Sequence, residues 1–457
     1  MRITTVRSEG LAALSYFVSS DGEAVVIDPR RDASIYAELA LREGVDIRYV
    51  FETHRNEDYV IGSLELQSLV PDVEIGHSNA ISFKFGEHAI ADGETFNAGK
   101  MHITCLNTPG HTDDSICYVV SDKSSGPDPI IAFTGDTLFV NEVGRTDLVD
   151  INKHEEMSRK LFRSLHEKLL PIGDGVIIHP GHGAGSVCGG AIGDREFSTI
   201  GFERSNNMWL KMDEEEFVSA KTAQRLTRTS YFKRCEKLNT IGPLLLNTRS
   251  PPQELDAVSL ANNIEDDNHR GIDTRQAKEF LMQFIPRTIN LSLTNMGLLA
   301  GWTLKAEQTF SLILGNRKDL GQAWSYLVRV GLDDIVGFLK NGIDTWIQSG
   351  RPVESIRTLS TEELKKRVDT NSIRVVDVRE PHEFSQNHIP GAISSPLTLL
   401  DETATSIDGN VSIAPLCPSG FRGTAAASIL HRNGFTDIAV PIEGYKGWVS
   451  KGYPTEV

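Results

Sequence analysis

The amino-acid sequence predicts an α/β protein made of three units. Its 457 residues exceed what one ordinary core takes up, at roughly 100 to 200 residues per domain. The first half alternates short apolar runs with polar helical stretches, and the second half contains an internal repeat.

In the first half, the apolar run Glu23-Ala-Val-Val-Ile-Asp-Pro29 reads as a strand, Ser34 to Glu43 as a helix, and Ile47 to Thr53 as a second strand. Further β-like runs stand at Ile103 to Asn107, Ile116 to Val120, Ile130 to Thr134 and Val176 to His179. An amphipathic helix is expected over His154 to Leu169. This order predicts stacked α/β layers.

In the second half, Gly271-Ile-Asp-Thr-Arg275, Glu279-Phe280 and Ile285-Pro286 match Val375-Val-Asp-Val-Arg379, Glu383-Phe384 and Ile389-Pro390. Later in each copy, Gly342-Ile-Asp-Thr-Trp346 with Gly350 and Pro352 matches Gly444-Tyr-Lys-Gly-Trp448 with Gly452 and Pro454. A period near 100 residues is far above the ~20 to 50 of solenoids, so each copy is a domain. Pro251 to Arg270 reads as a polar surface loop or linker. The expected domains are residues 1–245, 246–353 and 354–457.

Composition is that of a globular chain, with 39% hydrophobic and 24% charged residues. A formal net charge of -16 leaves no basic excess to neutralise phosphates, so nucleic acid is excluded as a partner and small molecules are expected. No apolar run approaches the ~20 residues that cross a bilayer, and the first residues lack the apolar stretch of a secretory signal. The expectation is a cytoplasmic protein with no membrane partner. Five scattered cysteines, Cys105, Cys117, Cys188, Cys235 and Cys417, argue for reduced thiols.

The β-like run Val411 to Leu416 leads into Cys417-Pro-Ser-Gly-Phe-Arg422, and a helical stretch, Thr424 to Asn433, follows. A strand, a short glycine-containing turn and a helix start gather backbone N–H groups around one point, which suits an anion. A thiolate at Cys417 fits there, and the same field with Arg422 is expected to lower its pKa and make it a nucleophile. Four residues separate Cys417 from Arg422, one fewer than in tyrosine-phosphatase-like loops, so the cradle of Pro418, Ser419, Gly420 and Phe421 is sized for sulfur rather than phosphate. With Asp377, Arg379, Glu383-Phe384 and His388-Ile-Pro-Gly-Ala392 upstream, the segment from Ile356 to Val457 resembles the rhodanese family. In the first copy the corresponding stretch reads Leu312-Ile-Leu-Gly-Asn-Arg317, without cysteine, which implies a degenerate, non-catalytic rhodanese-like module.

Four motifs of the first half each end a β-like run: Thr53-His-Arg-Asn-Glu-Asp58, Thr108-Pro-Gly-His-Thr112, Thr134-Gly-Asp-Thr-Leu-Phe139 and His179-Pro-Gly-His-Gly183. Imidazoles and carboxylates at strand ends converge over one edge of a layered sheet and can share a metal. Residues 1–245 resemble the metallo-β-lactamase superfamily, an αββα sandwich, with Asp28 as its early structural motif. The dinuclear zinc pattern of that superfamily, His-x-His-x-Asp-His, is broken twice, by Asn56 and by Tyr59. What remains is His54, His111 and Asp136, the two-His-one-carboxylate set that holds non-haem Fe(II).

The resemblance then narrows to the persulfide dioxygenase branch, whose ligands correspond to these three positions, and to its fusions with rhodanese. Val143-Gly-Arg-Thr-Asp147 and Gly185-Ser-Val-Cys-Gly-Gly190 agree with it. Asp58, Tyr59 and His182 are candidates for orienting a ligand or water. Arg145 is a candidate for pairing with a substrate anion, and Cys188 for touching the substrate sulfur.

The resemblance implies a mononuclear Fe(II) enzyme that uses O2 to oxidise the persulfide of glutathione, coenzyme A or another low-molecular-weight thiol to sulfite. Cys417 would carry sulfane sulfur between persulfide, sulfite and thiosulfate, and a homo-oligomer is compatible with this reading. The competing expectation is a zinc thioester hydrolase of glyoxalase II type fused to a sulfurtransferase.

Overall fold

The computed structural model describes residues 1–226, 228–229 and 231–457. The chain forms two compact units, the first comprising Met1–Leu246 with Val328–Gly331, the second Asn247–Leu327 with Leu332–Val457.

The first unit is built on two six-stranded sheets. One contains β1 (Arg2–Ser8), β2 (Ala13–Ser20), β3 (Glu23–Ile27), β4 (Asp46–Phe51), β5 (Glu74–Ser78) and β6 (His88–Ile90), in that spatial order. The other holds β7 (Thr95–Ala98), β8 (Met101–Asn107), β9 (Ile116–Asp122), β10 (Pro129–Gly135), β11 (Ile177–Pro180) and β12 (Ser198–Thr199), again in sequence order.

The two-residue period of the strands explains the layering. Tyr16, Val18, Val25, Ile27, Ile116, Tyr118 and Val120 point into one core between the sheets. Their alternates turn outward: Phe17, Ala24 and Val26 pack with Tyr36 and Leu39 of the helix Ser34–Glu43. Cys117, Val119 and Ala132 pack with Leu161, Leu165 and Leu169, one face of the helical stretch that begins at His154. Two sheets covered on their outer faces by helices make the αββα sandwich expected from the sequence.

Strands β10 and β11 run parallel, as do β3 and β4, so the loops that follow them leave the same edge of each pair. His54 follows β4, His111 follows β8, Asp136 follows β10 and His182 follows β11.

The second unit repeats one parallel α/β design. In its first half the order is β13 (Gln253–Leu255), β17 (Ile335–Leu339), β16 (Thr309–Ile313), β14 (His269–Asp273), β15 (Ile289–Asn290). Its second half has β18 (Arg357–Leu359) on β22 (Ala439–Pro441), and β20 (Ile393–Ser394), β19 (Arg374–Asp377) and β21 (Ile413–Leu416) in that spatial order. A parallel bridge from Ile413 to Ile438 joins the two pieces.

The internal repeat is visible in single hydrogen bonds. Arg275 pairs with Asp273 and donates to the Gln283 carbonyl at 2.8 Å, and Arg379 pairs with Asp377 and donates to the Asn387 carbonyl at 2.8 Å. Trp346 Nε1 donates to the Pro352 carbonyl and Trp448 Nε1 to that of Pro454, both at 2.8 Å.

One expectation fails here. Pro251 to Arg270 is not a loop: it contains β13, the helix Ala257–Glu265 and the start of β14. The helix is capped by Asp256, which accepts from the Ser259 N–H, and it buries Ala257, Leu260 and Ile264. Three apolar residues spaced along one face suffice to dock a short helix, and a polar average over the segment conceals them. Among the described residues no helix is long and apolar enough to cross a membrane. The five cysteines are buried free thiols.

Candidate metal centre and sulfur loop

The strand-end motifs of the first unit meet in one buried cluster. His54 Nε2 lies 3.9 Å and His111 Nε2 3.5 Å from Asp136 Oδ2, and the two imidazoles sit 4.9 Å apart at 84°. One ligand atom from each of the three residues falls within 4.8 Å of the others.

The neighbours of the two rings determine which nitrogen is free. Thr53 Oγ1 donates to Asp28 Oδ2 at 2.7 Å, so its lone pair accepts the proton of His54 Nδ1 at 2.9 Å. His111 Nδ1 donates to the Arg145 carbonyl at 3.0 Å, an atom that only accepts. Both rings are thereby held as the tautomer whose Nε2 carries a lone pair, and both Nε2 atoms are buried without a hydrogen-bond partner. Two orphaned imidazole lone pairs facing a carboxylate are the donor set of a cation, and the residues fit an iron ion. Burial lowers the affinity of His54 for a proton, yet Glu57 and Asp136 outweigh it and bring the ring to about 9. The Nε2 lone pair of His54 thus draws positive charge to this point, either a proton or a metal ion in its place.

Asp136 is itself gripped. His182 Nδ1 lies 2.8 Å from Asp136 Oδ1, and its Nε2 lies 3.0 Å from Asp58 Oδ2. Burial pushes the Asp136 carboxyl up, but His182, His111 and His54 hold it below the usual carboxylate range. The Tyr59 ring stands 6.2 Å from that of His182, edge to face, and is buried. Asn56 turns its Nδ2 onto the His54 carbonyl, 3.2 Å away.

Arg145 was a candidate for a substrate anion, but its donors are spent within the protein. Nε and Nη2 reach the Asp147 carboxylate, each at 2.7 Å, and Nη1 reaches the Val187 carbonyl. It ties the loop that carries Cys188 to the loop whose carbonyl orients His111. Cys188 lies 3.4 Å from Glu57 Oε1 and 4.0 Å from His182 Nε2, and burial pushes its thiol well up.

Two residues escape the sequence reading. Glu57 is fully buried between the imidazoles of His54 and His111, 3.4 Å from His111 Nε2 and 3.7 Å from His54 Nε2. Its only signal was its place inside the Thr53 to Asp58 motif. Asn239 staples that motif from the helix Phe232–Ile241: its Nδ2 donates to the Asn56 and Tyr59 carbonyls and its Oδ1 accepts from Ile61 N–H. No sequence signal marks it.

In the second unit, β21 ends at Leu416 and the helix Phe421–Arg432 begins four residues after Cys417. The N–H groups of Gly420 and Gly423 donate to Cys417 Sγ at 3.1 and 3.2 Å. Gly420 holds φ at +91°, and a Cβ there would stand 2.7 Å from the Ile442 carbonyl oxygen, so the turn requires glycine. On the outside, Tyr445 and Lys446 N–H groups take the Cys417 and Pro418 carbonyls at 2.8 and 3.0 Å, which leaves the inner side of the loop to N–H donors. Arg422 is bound through both terminal nitrogens to Glu383, at 3.0 and 3.1 Å.

The expected fall in the Cys417 pKa is not what the structure gives. Burial raises it, and the N–H groups of the loop and Arg422 offset that only in part. The charge of Arg422 is already shared with Glu383, which sequence spacing does not reveal.

The other copy has no thiol at this place. A Cβ on Gly444 would sit 2.3 Å from the Cys417 carbonyl oxygen, and one on Gly342 would sit 2.4 Å from that of Leu314. Leu314, the first residue after β16, therefore stands where Cys417 stands after β21.

Comparison with known proteins agrees with both halves of this picture. Residues 9–182 match the metallo-beta-lactamase superfamily and residues 360–451 the rhodanese-like domain. A persulfide dioxygenase of Bos taurus, ETHE1, mitochondrial, is 33% identical over 204 residues, covering 43% of this chain and 70% of the relative. A probable hydroxyacylglutathione hydrolase of Schizosaccharomyces pombe is 29% identical over 37% of this chain and 62% of its own length. A crystal structure of a metallo-beta-lactamase from Staphylococcus aureus superposes with a TM-score of 0.66 at 27% identity, covering 74% of this chain and 98% of that one.

Fold and site thus define a metallo-β-lactamase-fold protein with a C-terminal rhodanese-like domain. Within that class, the chain belongs to the persulfide dioxygenase family.

Proposed function

We propose that the first unit is a mononuclear ferrous persulfide dioxygenase and that Cys417 is the nucleophile of a rhodanese sulfurtransferase. The observation that carries the first part is the pair of orphaned Nε2 lone pairs on His54 and His111 facing Asp136, in a site where Asn56 and Tyr59 stand at the positions of two further histidines. The substrate is the persulfide of glutathione, coenzyme A or a similar thiol, and the balanced reaction is RSS⁻ + O2 + H2O → RSH + SO3²⁻ + H⁺.

Bound iron supplies the open-shell chemistry that lets O2 react with a sulfur anion. The protein supplies the rest. Thr53 and the Arg145 carbonyl keep both histidines in the metal-binding tautomer, and His182 fixes the Asp136 carboxylate. Burial of all these groups excludes bulk water. At the other site the loop N–H groups stabilise the Cys417 thiolate and its persulfide. Sulfite attack on the outer sulfur then gives thiosulfate and returns the thiolate: Cys–S–S⁻ + SO3²⁻ → Cys–S⁻ + S2O3²⁻.

The test is metal analysis and oxygen uptake on protein purified without air. Equimolar iron and O2 consumption with glutathione persulfide, abolished in His111→Ala, are expected. Zinc in place of iron with thioester hydrolysis, or O2 uptake that persists in His111→Ala, would overturn the assignment. The Cys417→Ser protein should oxidise persulfide normally and lose thiosulfate formation from persulfide and sulfite.

A further inference from the structure

We infer that Glu57 is a fourth protein ligand of the metal, so that the centre is a two-histidine, two-carboxylate site. This rests on the proposal that the first unit binds a ferrous ion.

Glu57 Oε2 is fully buried and has no hydrogen-bond partner. It lies 3.4 Å from His111 Nε2 and 3.7 Å from His54 Nε2, while Asp136 Oδ2 lies 3.5 and 3.9 Å from the same two atoms. Glu57 therefore bears on the two nitrogens as closely as the carboxylate of the triad does.

Its orientation is held from behind. The Cys188 thiol donates to Oε1 at 3.4 Å, which leaves Oε2 aimed at the imidazoles. A buried carboxylate oxygen without a hydrogen bond is costly, and where the rings it faces are neutral the repulsion of their lone pairs adds to the cost. Because Nδ1 of each histidine is committed to Thr53 or the Arg145 carbonyl, Nε2 offers Glu57 a lone pair rather than a proton in the metal-binding tautomer. A cation among the four atoms removes the repulsion and gives every one of them a partner.

Asp58, the next residue, gathers instead with His182 and Cys188, its Oδ2 3.0 Å from His182 Nε2. The consequence for chemistry is a more crowded and more negative centre than His54, His111 and Asp136 alone provide. One fewer position is left for small molecules, and the extra anion lowers the net charge of the loaded site.

Two measurements on full-length protein loaded with Fe(II) without air test this. In an anaerobic crystal structure of the iron-loaded protein, Glu57 Oε2 should lie roughly 2.0 to 2.2 Å from the metal, the usual carboxylate bond length. In chelator competition, Glu57→Gln should bind Fe(II) at least tenfold more weakly than the native protein. The rise in Tm on adding iron should also be smaller for Glu57→Gln than for the native protein, each compared with its own metal-free form. Should Glu57→Gln fail to fold, Glu57→Asp, whose shorter side chain draws the oxygen back, is measured in the same way and should show the same loss of affinity.

A metal to Glu57 distance beyond 3 Å, or native affinity in the variant, would overturn the inference while leaving the iron assignment intact. Native protein that takes up no iron would overturn both.

Discussion

His182 grips both oxygens of Asp136, its Nδ1 2.8 Å from Oδ1 and 3.0 Å from Oδ2, while its Nε2 rests 3.0 Å from Asp58. Both ring nitrogens face carboxylates, and although burial opposes it, Asp136 and Asp58 raise the ring well above its ordinary pKa. The ring thus acts as a cationic clamp. Replacing it with alanine leaves Asp136 free to rotate, and groups in this relation to a metal are worth roughly 10- to 100-fold in affinity. His182→Ala should lose iron affinity by that factor in chelator competition. Unchanged affinity would show that Asp136 needs no clamp.

Glu383 and Arg422 form the second buried-side pair, and here the pH dependence has a definite sign. Burial pushes the Glu383 carboxyl up, but Arg422 and the Glu380 backbone contact pull it below its usual range. A depressed carboxylate contributes stability that is present above its unfolded pKa of about 4.3 and is lost as pH falls through the lower folded value. Native protein should exceed Glu383→Gln by about 1 kcal/mol near neutrality, and the difference should shrink as pH falls below about 4.3 through the lower folded value. Urea titrations of both proteins at pH 7 and pH 3.5 measure it. A gap that widens in acid would contradict the pairing.

The repeat and the strand-end motifs were legible because they rest on spacing. Asp273 and Asp377 announce the same turn, and His54, His111, Asp136 and His182 each follow an apolar run. Glu57 and Asn239 were not legible, for a physical reason: their importance lies in what faces them across the fold, the imidazoles for one and three backbone groups for the other. Pro251 to Arg270 was misjudged because three buried apolar residues were averaged with a polar face. The pKa of Cys417 was misjudged because neither burial nor the pairing of Arg422 with Glu383 can be read along the chain.

Cys417 should accordingly be slow to ionise until the medium is alkaline. Its burial raises the pKa above the ordinary thiol range, so the thiolate fraction grows as pH climbs through and beyond about 8.5. Rates of Cys417 alkylation by iodoacetamide, followed by mass spectrometry between pH 6.5 and 10 in roughly half-unit steps, should keep rising past pH 8.5. A plateau below pH 8 would mean that the loop N–H groups and Arg422 outweigh burial.

Leu314 poses the question of what else the copy without a cysteine lacks. It stands at the place of Cys417, directly after the equivalent strand and against the equivalent glycine. The segment that follows is short, however: Gly315 and Asn316 alone separate Leu314 from Arg317, and Asn316 caps a 3-10 turn, Arg317–Asp319, by accepting from Lys318 N–H. Lys318 N–H is spent on the Asn316 side chain and Asp319 N–H on the Asn316 carbonyl, so a thiol at this point would not have these groups as the donors that Gly420 and Gly423 give Cys417. A Leu314→Cys substitution placed in the Cys417→Ser protein should therefore restore less than about 1% of thiosulfate sulfurtransferase turnover, since a buried thiol without anion-stabilising donors stays protonated. Labelling after unfolding would verify that the new thiol is present. Substantial recovery of turnover would show that the cysteine alone, and not the loop around it, separates the active module from the silent one.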